Sequence, residues 1–437
     1  MKIIERIFHI KESGSDIRTE IVAGVTTFIS MAYVILVNSN TMAEIGMPRE
    51  AAIAATIWSS ALASAFMGLY ANYPVALAPG LGLVVYFAYS VVGKMGLSWQ
   101  AALGAVFISG IIFLVLTICG VRQAIVRAIP VTLKRSMGIG MGLFIAFVGF
   151  RDAGIIIPDS ATIITGGQIT DIHTVLSILG IMFITVFLHF DIKGAIIMGV
   201  FFTTVLAMLA GVVAIPHSLA DIMTLNVPSV SGTLCQFDIK GALEFGIVSI
   251  IFSFTMVDLF ETLGTLIGVT SKAGMVDENG DVKNLDKALT SDSVGTIMGA
   301  VIGTPTVTSY VESATGVLAG GRTGLTAVVT AGCFVLALFF SPIISLVPKC
   351  ATAPALIIVG AMMLSEISTL KIDDFCEWVP SFLIIVLMAL TMSIATGFAY
   401  GFISYCILKT LSGKIREISI TMWIISAAFL ANLLMRV

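Results

Sequence analysis

Long apolar stretches alternate with short polar ones along almost the whole chain. A bilayer core of about 30 Å requires about 20 mostly apolar residues in a helix, and the apolar stretches recur near this length. The fourteen predicted spans are 20–37, 51–70, 74–92, 100–118, 131–150, 173–190, 193–215, 241–266, 285–302, 306–320, 322–346, 351–367, 378–395 and 396–411. A last apolar segment, 417–436, either spans the membrane or lies at its surface. The pattern predicts an all-α polytopic membrane protein.

Positively charged residues cluster in four of the short connections and predict the orientation of the chain. The clusters are Lys2, Arg6, Lys11 and Arg18; Arg122, Arg127, Lys134 and Arg135; Lys272, Lys283 and Lys287; and Lys409, Lys414 and Arg416. All four fall on one side of the membrane if fourteen spans are counted. Cytoplasmic loops carry the excess of Lys and Arg, so we expect a cytoplasmic N-terminus in the inner (plasma) membrane. Residues 1–19 mix both charge signs and predict an amphipathic segment, not a secretory signal.

Composition strengthens the membrane interpretation and excludes other classes. The chain is 58% hydrophobic and 11% charged, whereas soluble domains are roughly 45–50% apolar and about 25% charged. A net charge of −3 gives no basic surface for nucleic acid. The six cysteines show no CxxC spacing and the four histidines form no cluster, so we expect no disulfide framework, no metal and no cofactor.

Two of the predicted spans are interrupted by helix-breaking residues. The third contains Pro74, Pro79 and Gly80, and the tenth opens with Pro305 and continues through β-branched residues. Each predicts a short extended piece that leads into a half-helix. These spans are the third and the tenth in the chain, so each is the third in a group of seven. Because seven is odd, the second group starts on the opposite side of the membrane and is inverted relative to the first. Matching interruptions in two halves indicate a transporter's binding site.

Three carboxylates lie at membrane depth. Asp258 and Glu261 are three residues apart and share a helix face, which Thr265 continues, and Glu312 lies in the interrupted tenth span. An acidic residue at a helix centre costs roughly 2.5–3.5 kcal/mol on insertion scales. These side chains therefore either face a polar cavity or lie near a membrane surface.

Several other side chains have two interpretations. Phe87 and Phe254 stack on a flat ligand ring or simply pack in the core. Asn72, Tyr86 and Tyr89 bind a ligand or have interface and packing roles. Arg322 marks the cytoplasmic end of the tenth segment or contacts a substrate.

Five motifs resemble the nucleobase–cation symporter family 2, in its adenine, guanine and hypoxanthine permease branch. They are "NYPVALAPGLGL", "VDLFETLGTLIG", "KAGMVDENG", "GTPTVTSYVESATGVLAGGRTGL" and "ATAPALIIVGAMM", and the likeness runs from about residue 15 to 412. The resemblance implies two inverted repeats of seven spans. A core domain would comprise 20–120 and 241–346, and a gate domain 121–215 and 347–411. Residues 1–19, the extracytoplasmic loop 216–240 and the C-terminal segment 412–437 would flank them.

The resemblance also implies import of a purine nucleobase with a proton or another cation, and a homodimer in the lipid bilayer. Glu261 and Glu312 would hold the base, and Asp258 matches a second acidic position. The chain departs from the family pattern at Val84, where Asn is usual, and at Glu261, where Asp is usual. Ala389 and Met392 depart as well. These changes leave hypoxanthine, guanine and adenine open as substrates.

A mechanism follows as a hypothesis. Glu312 would accept two ring N–H bonds, and half-helix N–H groups near Val84 and Ser313 would donate to the base. Protonation of Glu261 or Asp258 would couple uptake to the proton gradient. The alternatives are a uracil or xanthine permease, or an anion carrier or channel of the same fold, which would need a positive site. No motif of an intramembrane enzyme is present, so we expect no enzymatic activity.

Overall fold

A computed structural model describes residues 2–121, 125, 128–244, 247–272, 275, 284–370 and 374–435. Some sequence features lie outside the described residues: Arg122, Arg127, Lys283 and most of the "KAGMVDENG" motif.

The first half of the chain forms helices broken by one strand and followed by a hairpin. The elements are α1 Lys2–Phe8, α2 Ile17–Met31, α3 Tyr33–Glu44, α4 Arg49–Phe66, β1 Leu77–Pro79, α5 Leu81–Val85, α6 Trp99–Ile118, α7 Val131–Asp152, β2 Ile156–Asp159, β3 Ile163–Gly166, α8 Ile172–His189 and α9 Ala195–Leu209. Single π-helical stretches extend α4 over Met67–Ala71 and α5 over Tyr86–Lys94.

The second half repeats the pattern of helices around one strand. Its elements are α10 Ile239–Glu244, α11 Ile247–Lys272, α12 Leu285–Ile302, β4 Val307–Ser309, α13 Ser313–Leu318, α14 Gly324–Ala337, α15 Ser341–Leu346, α16 Lys349–Leu364, α17 Phe375–Leu390, α18 Ile394–Leu411 and α19 Ile420–Met435. Short 3₁₀ turns at Leu219–Asp221, Leu338–Phe340, Ser365–Thr369 and Ile415–Glu417 connect some of them.

Within the described ranges, nine helices are long and apolar enough to cross a membrane. The first runs over Ile17–Glu44, longer than the predicted span 20–37, because α2 and α3 are interrupted only at Ala32. Asp16 starts this helix by accepting hydrogen bonds from the N–H groups of Arg18 and Thr19. The count of fourteen spans stays a prediction, since several segments are shorter or broken.

The C-terminal segment is helical and packs on the preceding helix. The ring of Phe429 in α19 meets that of Phe402 in α18 edge-on, with centroids 5.5 Å apart. The Ser426 hydroxyl donates to the Phe402 carbonyl at 3.2 Å. Helix α19 thus belongs to the folded protein, whether it spans the membrane or lies on it.

The third and tenth segments meet through their extended pieces. Strands β1 and β4 pair antiparallel, with Leu77 opposite Ser309 and Pro79 opposite Val307. Gly80 N–H donates to the Thr306 carbonyl at 3.0 Å. Unpaired backbone groups cost several kcal/mol in lipid, so broken helices survive only inside protein or beside a cavity. The strand pair satisfies several of these groups and holds the two breaks together.

The helices pack in two groups. One contains α2, α3, α4, α6, α12 and α14, with the strand pair of β1 and β4 and the extension of α5 beside them; the other contains α7, α8, α9, α16, α17 and α18. The helical stretch Ile17–Glu44, interrupted only at Ala32, has its two ends on opposite faces of the molecule. We call the face near Ile17 the N-terminal face and the one near Glu44 the distal face.

Candidate functional site

The side chain of Glu261 lies against the break in the third segment. Helix α11 carries it to Gly80, where an added Cβ atom would lie 3.2 and 3.3 Å from its two carboxylate oxygens. Among the described residues, nothing offers a hydrogen bond to its buried Oε2 atom. A buried carboxylate oxygen without a donor is costly. A proton on Glu261, or a ligand that donates to it, would therefore stabilise this site.

Glu312 lies at the other break, immediately before α13. The hydroxyl of Tyr33 donates a short hydrogen bond to its Oε1 atom. Tyr33 itself is fully buried in the first group of helices. Glu312 lies close enough to Glu261 for electrostatic repulsion between the two carboxylates, and both also lie within electrostatic range of the hydroxyl of Tyr310. That hydroxyl donates to the Pro79 carbonyl at 2.6 Å. The two carboxylates thus share one buried region around the crossing strands.

Val84 and Ser313 are both buried at the half-helices, but their own N–H groups already have acceptors. Val84 N–H donates to the Gly80 carbonyl at 2.8 Å, and Ser313 N–H donates to the Tyr310 carbonyl at 3.1 Å. The Ser313 hydroxyl oxygen accepts from Ala76 N–H at 3.0 Å. The first-turn N–H groups before Val84 have no acceptor within their helix. Any donation from this half-helix to a ligand would come from those groups.

Asp258 is buried on α11 but faces α12. Its Oδ2 atom accepts from the Thr296 hydroxyl at 3.1 Å, and its Oδ1 atom is 3.4 Å from the Thr262 hydroxyl. Thr262 also contacts the Thr308 hydroxyl at 2.8 Å on strand β4. Asp258 is therefore connected to the strand pair through hydroxyl groups.

A fourth buried carboxylate, Asp292 in α12, was missed by the sequence analysis. Its Oδ1 atom accepts from both the N–H and the hydroxyl of Ser309, at 3.1 and 3.2 Å. Its Oδ2 atom accepts from the Thr262 hydroxyl at 2.7 Å. The charge of Asp292 also acts on Glu261. The sequence does contain a signal for this residue, because Asp292 is an acidic residue inside the predicted span 285–302. The Ser, Thr and Lys residues near it are typical of a solvated start of a helix.

The aromatic residues pack on one another. Phe254 meets Tyr86 edge-on with centroids 5.1 Å apart, and its ring lies 6.4 Å from that of Phe87. Phe87 and Phe254 are both fully buried. Thr265, one turn beyond Glu261 on α11, is half-buried. The core-packing interpretation accounts for these rings, while Thr265 remains a candidate for ligand contact.

Other residues singled out from the sequence have local roles. Asn72 donates to the Phe8 carbonyl at 3.0 Å and accepts from Gly324 N–H at 2.7 Å, so it ties the N-terminal segment to α14. Arg322 donates to the Val317 carbonyl at 2.6 Å. Ala389 is buried near the end of α17. Among the residues that the structure describes, no group of His, Cys, Asp and Glu side chains could hold a metal ion.

The arrangement combines buried carboxylates with neutral donors. Asp292 and Glu312 both lie close enough to Glu261 to disfavour its charged form. The hydrogen-bond donors to Glu312 and Asp292 include hydroxyl and backbone N–H groups. Such a region is stabilised by protons or by a ligand that brings N–H donors, and it repels anions.

Comparisons with known proteins give a consistent result. The permease family model Xan_ur_permease matches residues 18–400. The chain is 39% identical to the adenine permease AdeQ of Escherichia coli over 99% of this chain and 96% of that protein. It is 40% identical to the guanine/hypoxanthine permease PbuO of Bacillus subtilis over 94% of this chain and 96% of that protein.

The fold resembles that of solved transporters of distant sequence. The transmembrane domain of the cyanobacterial bicarbonate transporter BicA superposes with a TM-score of 0.64 at 13% identity. The match covers 86% of this chain and 95% of that chain. At this identity the likeness concerns the fold alone. With the apolar helices and the family match, it makes the chain an integral, multi-pass membrane protein.

Proposed function

Since the chain belongs to the nucleobase–cation symporter 2 family of permeases, we propose that it is a secondary active transporter that imports a purine nucleobase together with a proton. It is a permease and not an enzyme, like its relatives. Hypoxanthine, guanine and adenine are the proposed substrates, because relatives near 40% identity are permeases for these bases by name.

The observation that carries the proposal is the unpartnered Oε2 atom of Glu261 beside the strand crossing. A purine presents ring N–H donors along one edge, and a bond to a charged acceptor is about twice as strong as a neutral one. Glu312, held by Tyr33 across the same region, offers a second acceptor. A base that donates to charged Glu312, and to the acceptor oxygen that Glu261 keeps when it is protonated, would satisfy both side chains. We assign the role of orienting the base to Thr265 and to the first-turn N–H groups before Val84.

Proton coupling has a physical basis in the same carboxylates. Placing several acidic side chains in one buried region disfavours full ionisation, so at least one proton is held there. We assign this proton to Glu261, with Asp258 as the second candidate. A neutralised site would bind the base, and release of base and proton on the cytoplasmic side would return the site to its charged form.

Alternating access is proposed to arise from motion between the two groups of helices. The group around α2, α4, α6, α12 and α14 would be the core domain that carries the site, and the group around α7, α16 and α17 the gate. We place the N-terminus in the cytoplasm and the protein in the inner membrane, as a homodimer. Light scattering on the purified protein in detergent measures the last point.

The direct experiment is uptake of radiolabelled bases by a strain that lacks its own purine permeases. We expect saturable uptake of hypoxanthine, guanine or adenine that collapses with a protonophore. Glu312→Ala removes one acceptor and is expected to reduce uptake to background. Glu12→Ala, at a side chain 79% exposed in the N-terminal segment, is the matched control. Absence of uptake of every base, with the protein present in the membrane, would refute the proposal.

Two other assignments are separated by the same assay. A uracil or xanthine permease would take up those bases in preference to the three purines. An anion carrier is favoured only by the fold likeness to a bicarbonate transporter, and the acidic site opposes it. Saturable bicarbonate uptake without nucleobase uptake would support the anion carrier.

A further inference from the structure

At the distal face, five side chains join the two groups of helices. We call Glu44, Tyr89, Arg151, Asp152 and Lys349 the distal cluster. Glu44 and Tyr89 belong to the first group, at the end of α3 and in the extension of α5. Arg151 and Asp152 end α7, and Lys349 begins α16, so these three belong to the second group.

Tyr89 is the centre of the cluster. Its hydroxyl oxygen is 3.0 Å from Glu44 Oε2 and 3.3 Å from Asp152 Oδ2, so one hydroxyl hydrogen serves two carboxylates. The guanidinium carbon of Arg151 lies 3.9 Å from the centroid of its ring, a cation–π contact. Arg151 also binds Asp152 at 2.7 Å. The phenol therefore contacts residues of both groups through its edge and its face.

Lys349 completes the connection from the second group. Its ammonium lies 2.7 Å from Glu44 Oε1. Charged and polar contacts thus cross the boundary between the two groups at two places. The carboxylate of Glu44 in the first group pairs with the ammonium of Lys349 in the second. Tyr89 of the first group contacts both Arg151 and Asp152 of the second. An exposed ion pair alone contributes little, but Asp152 is only 11% exposed. A network around a largely buried acid is stronger than isolated pairs.

Neighbouring contacts at the same face add to the connection. The hydroxyl of Ser90 donates a short hydrogen bond to the Met392 carbonyl, between α17 and α18. Arg49 at the start of α4 donates to the Val347 carbonyl at 2.9 Å, just before α16. The distal ends of the two groups are thus bonded at several places.

The N-terminal face differs. A crevice of about 370 Å³ separates the first group from the connection between α8 and α9. Its lining includes Thr26 and Ser30 of α2, Thr315 of α13, and Asp191 and Lys193 of the second group. Thr315 lies one turn from Glu312, and its hydroxyl donates to the Glu312 carbonyl at 2.7 Å. Through Thr315, the wall of the crevice is therefore hydrogen-bonded to the backbone of a candidate site residue.

We propose that Tyr89 and the distal cluster are the outer gate of the transporter, a latch that holds the distal face shut while the crevice opens the site to the cytoplasm. The inference rests on the proposed transport function and orientation. Opening to the outside requires that Tyr89 lose Arg151 and Asp152 and that Glu44 lose Lys349. The latch therefore sets the balance between inward-open and outward-open states, because its contacts exist in only one of them.

The test measures this balance by thiol labelling in a background that lacks the six native cysteines. The inner reporter, Thr315→Cys, lies in the crevice, and the outer reporter, Ala88→Cys, lies buried next to Tyr89. A membrane-impermeant maleimide is applied to right-side-out or inverted vesicles.

Tyr89→Phe keeps the ring over Arg151 and removes the hydroxyl, and Lys349→Met removes the ion pair. Each is expected to raise labelling of the outer reporter from outside, relative to labelling of the inner reporter from inside, about fivefold, which equals about 1 kcal/mol at 25 °C.

The control is Tyr70→Phe, at a half-exposed ring stacked on Phe66, which should leave both labelling rates unchanged. A second arm joins Glu44→Cys to Lys349→Cys with a reducible bifunctional thiol reagent; uptake should stop and return on reduction. Unchanged labelling ratios in both latch variants, or full uptake by the cross-linked protein, would overturn the latch. If the parent takes up no base, the transport function fails, while the labelling still reports whether these contacts close the distal face.

Discussion

The hydroxyl of Tyr33 donates a short hydrogen bond to Glu312, which joins the first long helix to the break in the tenth segment. The two residues are 279 positions apart in the chain. Since Tyr33 is fully buried, the phenol fixes the direction in which the carboxylate presents its other oxygen. The candidate site is thus oriented by a neutral donor and not by a cation.

Tyr33→Phe is predicted to weaken nucleobase binding. It removes the donor and leaves a buried carboxylate oxygen unpaired, and bonds to charged groups contribute about 1.5–3 kcal/mol. We expect the KM for uptake to rise roughly tenfold or more, with normal protein abundance. Uptake kinetics in whole cells measure this change, and Tyr70→Phe is the control. An unchanged KM would show that Tyr33 does not orient Glu312 for binding.

Asp292 is predicted to hold strand β4 in place. Asp292→Asn replaces an acceptor oxygen by an N–H₂ group that faces donors from Ser309 or Thr262. We expect lower thermal stability and loss of uptake together, because the strand pair carries both half-helices. Differential scanning fluorimetry of the purified protein gives the melting temperature.

Ser309→Ala supplies the comparison for Asp292. It removes only the hydroxyl and keeps the backbone N–H bond, so it should lower the melting temperature less than Asp292→Asn does. Because the two side chains are in contact, the double variant should be less affected than the sum of the two single variants. Strict additivity would mean that the bond between them contributes nothing to stability.

Part of this architecture follows from the sequence alone. Helix α12 spans Leu285–Ile302, the bounds predicted for the ninth span, because the apolar pattern and the following glycine are local signals. The interruptions at Pro79 and Pro305 are local signals too: strand β1 ends at Pro79, and strand β4 begins two residues after Pro305. The family was recognised from contiguous motifs, which the comparisons confirm.

Contacts between distant segments could not be predicted from the sequence. Asp292 looks like a solvated acid near a helix start until Ser309, on another element, is placed against it. Tyr89 had several interpretations because its partners Glu44 and Asp152 are brought to it only by tertiary packing. The sequence predicts donation from half-helix N–H groups near Val84 and Ser313. It does not show that the N–H groups of these two residues are themselves bonded to the Gly80 and Tyr310 carbonyls, because those bonds depend on turn geometry.

Asp374 makes a separate prediction about acid stability. It accepts from Lys414, Cys376 N–H and Lys409 in the connection before α17. The hydrogen bond from Lys414 is the main cause that lowers the pKa of Asp374. Because the pKa of Asp374 is lower in the folded protein, the unfolded chain binds more protons below about pH 5. The hydrogen bonds to Asp374 therefore stabilise the fold above the pKa of an Asp in the unfolded chain, about 3.9, and this stabilisation is lost as the pH falls.

Lys414→Met should therefore lower the melting temperature at pH 7 by roughly 1–3 °C, since Asp374 is exposed to solvent screening. The parent and the variant should converge as the pH is lowered from about 5 to about 3. The control, Lys11→Met, changes an exposed lysine in the N-terminal segment and should parallel the parent at every pH. A constant gap between Lys414→Met and the parent across this pH range would contradict the assignment.

Glu261 is predicted to carry the coupled proton. Glu261→Gln mimics the protonated carboxyl and cannot release a proton. In proteoliposomes, we expect exchange of labelled base across the membrane to persist at a fraction of the parental rate, while accumulation driven by a pH gradient disappears. Glu12→Gln should behave as the parent in both assays. Accumulation that survives in Glu261→Gln would move the proton to Asp258 or another group.

Gly80→Ala tests whether the space beside Glu261 matters. An added methyl group would lie 2.6 Å from Thr308 Cγ2 and 3.2 and 3.3 Å from the Glu261 oxygens, so the strand pair or the carboxylate must shift. We expect uptake to fall at least tenfold, because a displacement of about 1 Å at a binding constellation is costly. Gly138→Ala, where an added Cβ meets nothing within 4 Å, should retain parental uptake and abundance. If Gly80→Ala transports like Gly138→Ala, the carboxylate is not positioned by the break, and the base must be bound elsewhere.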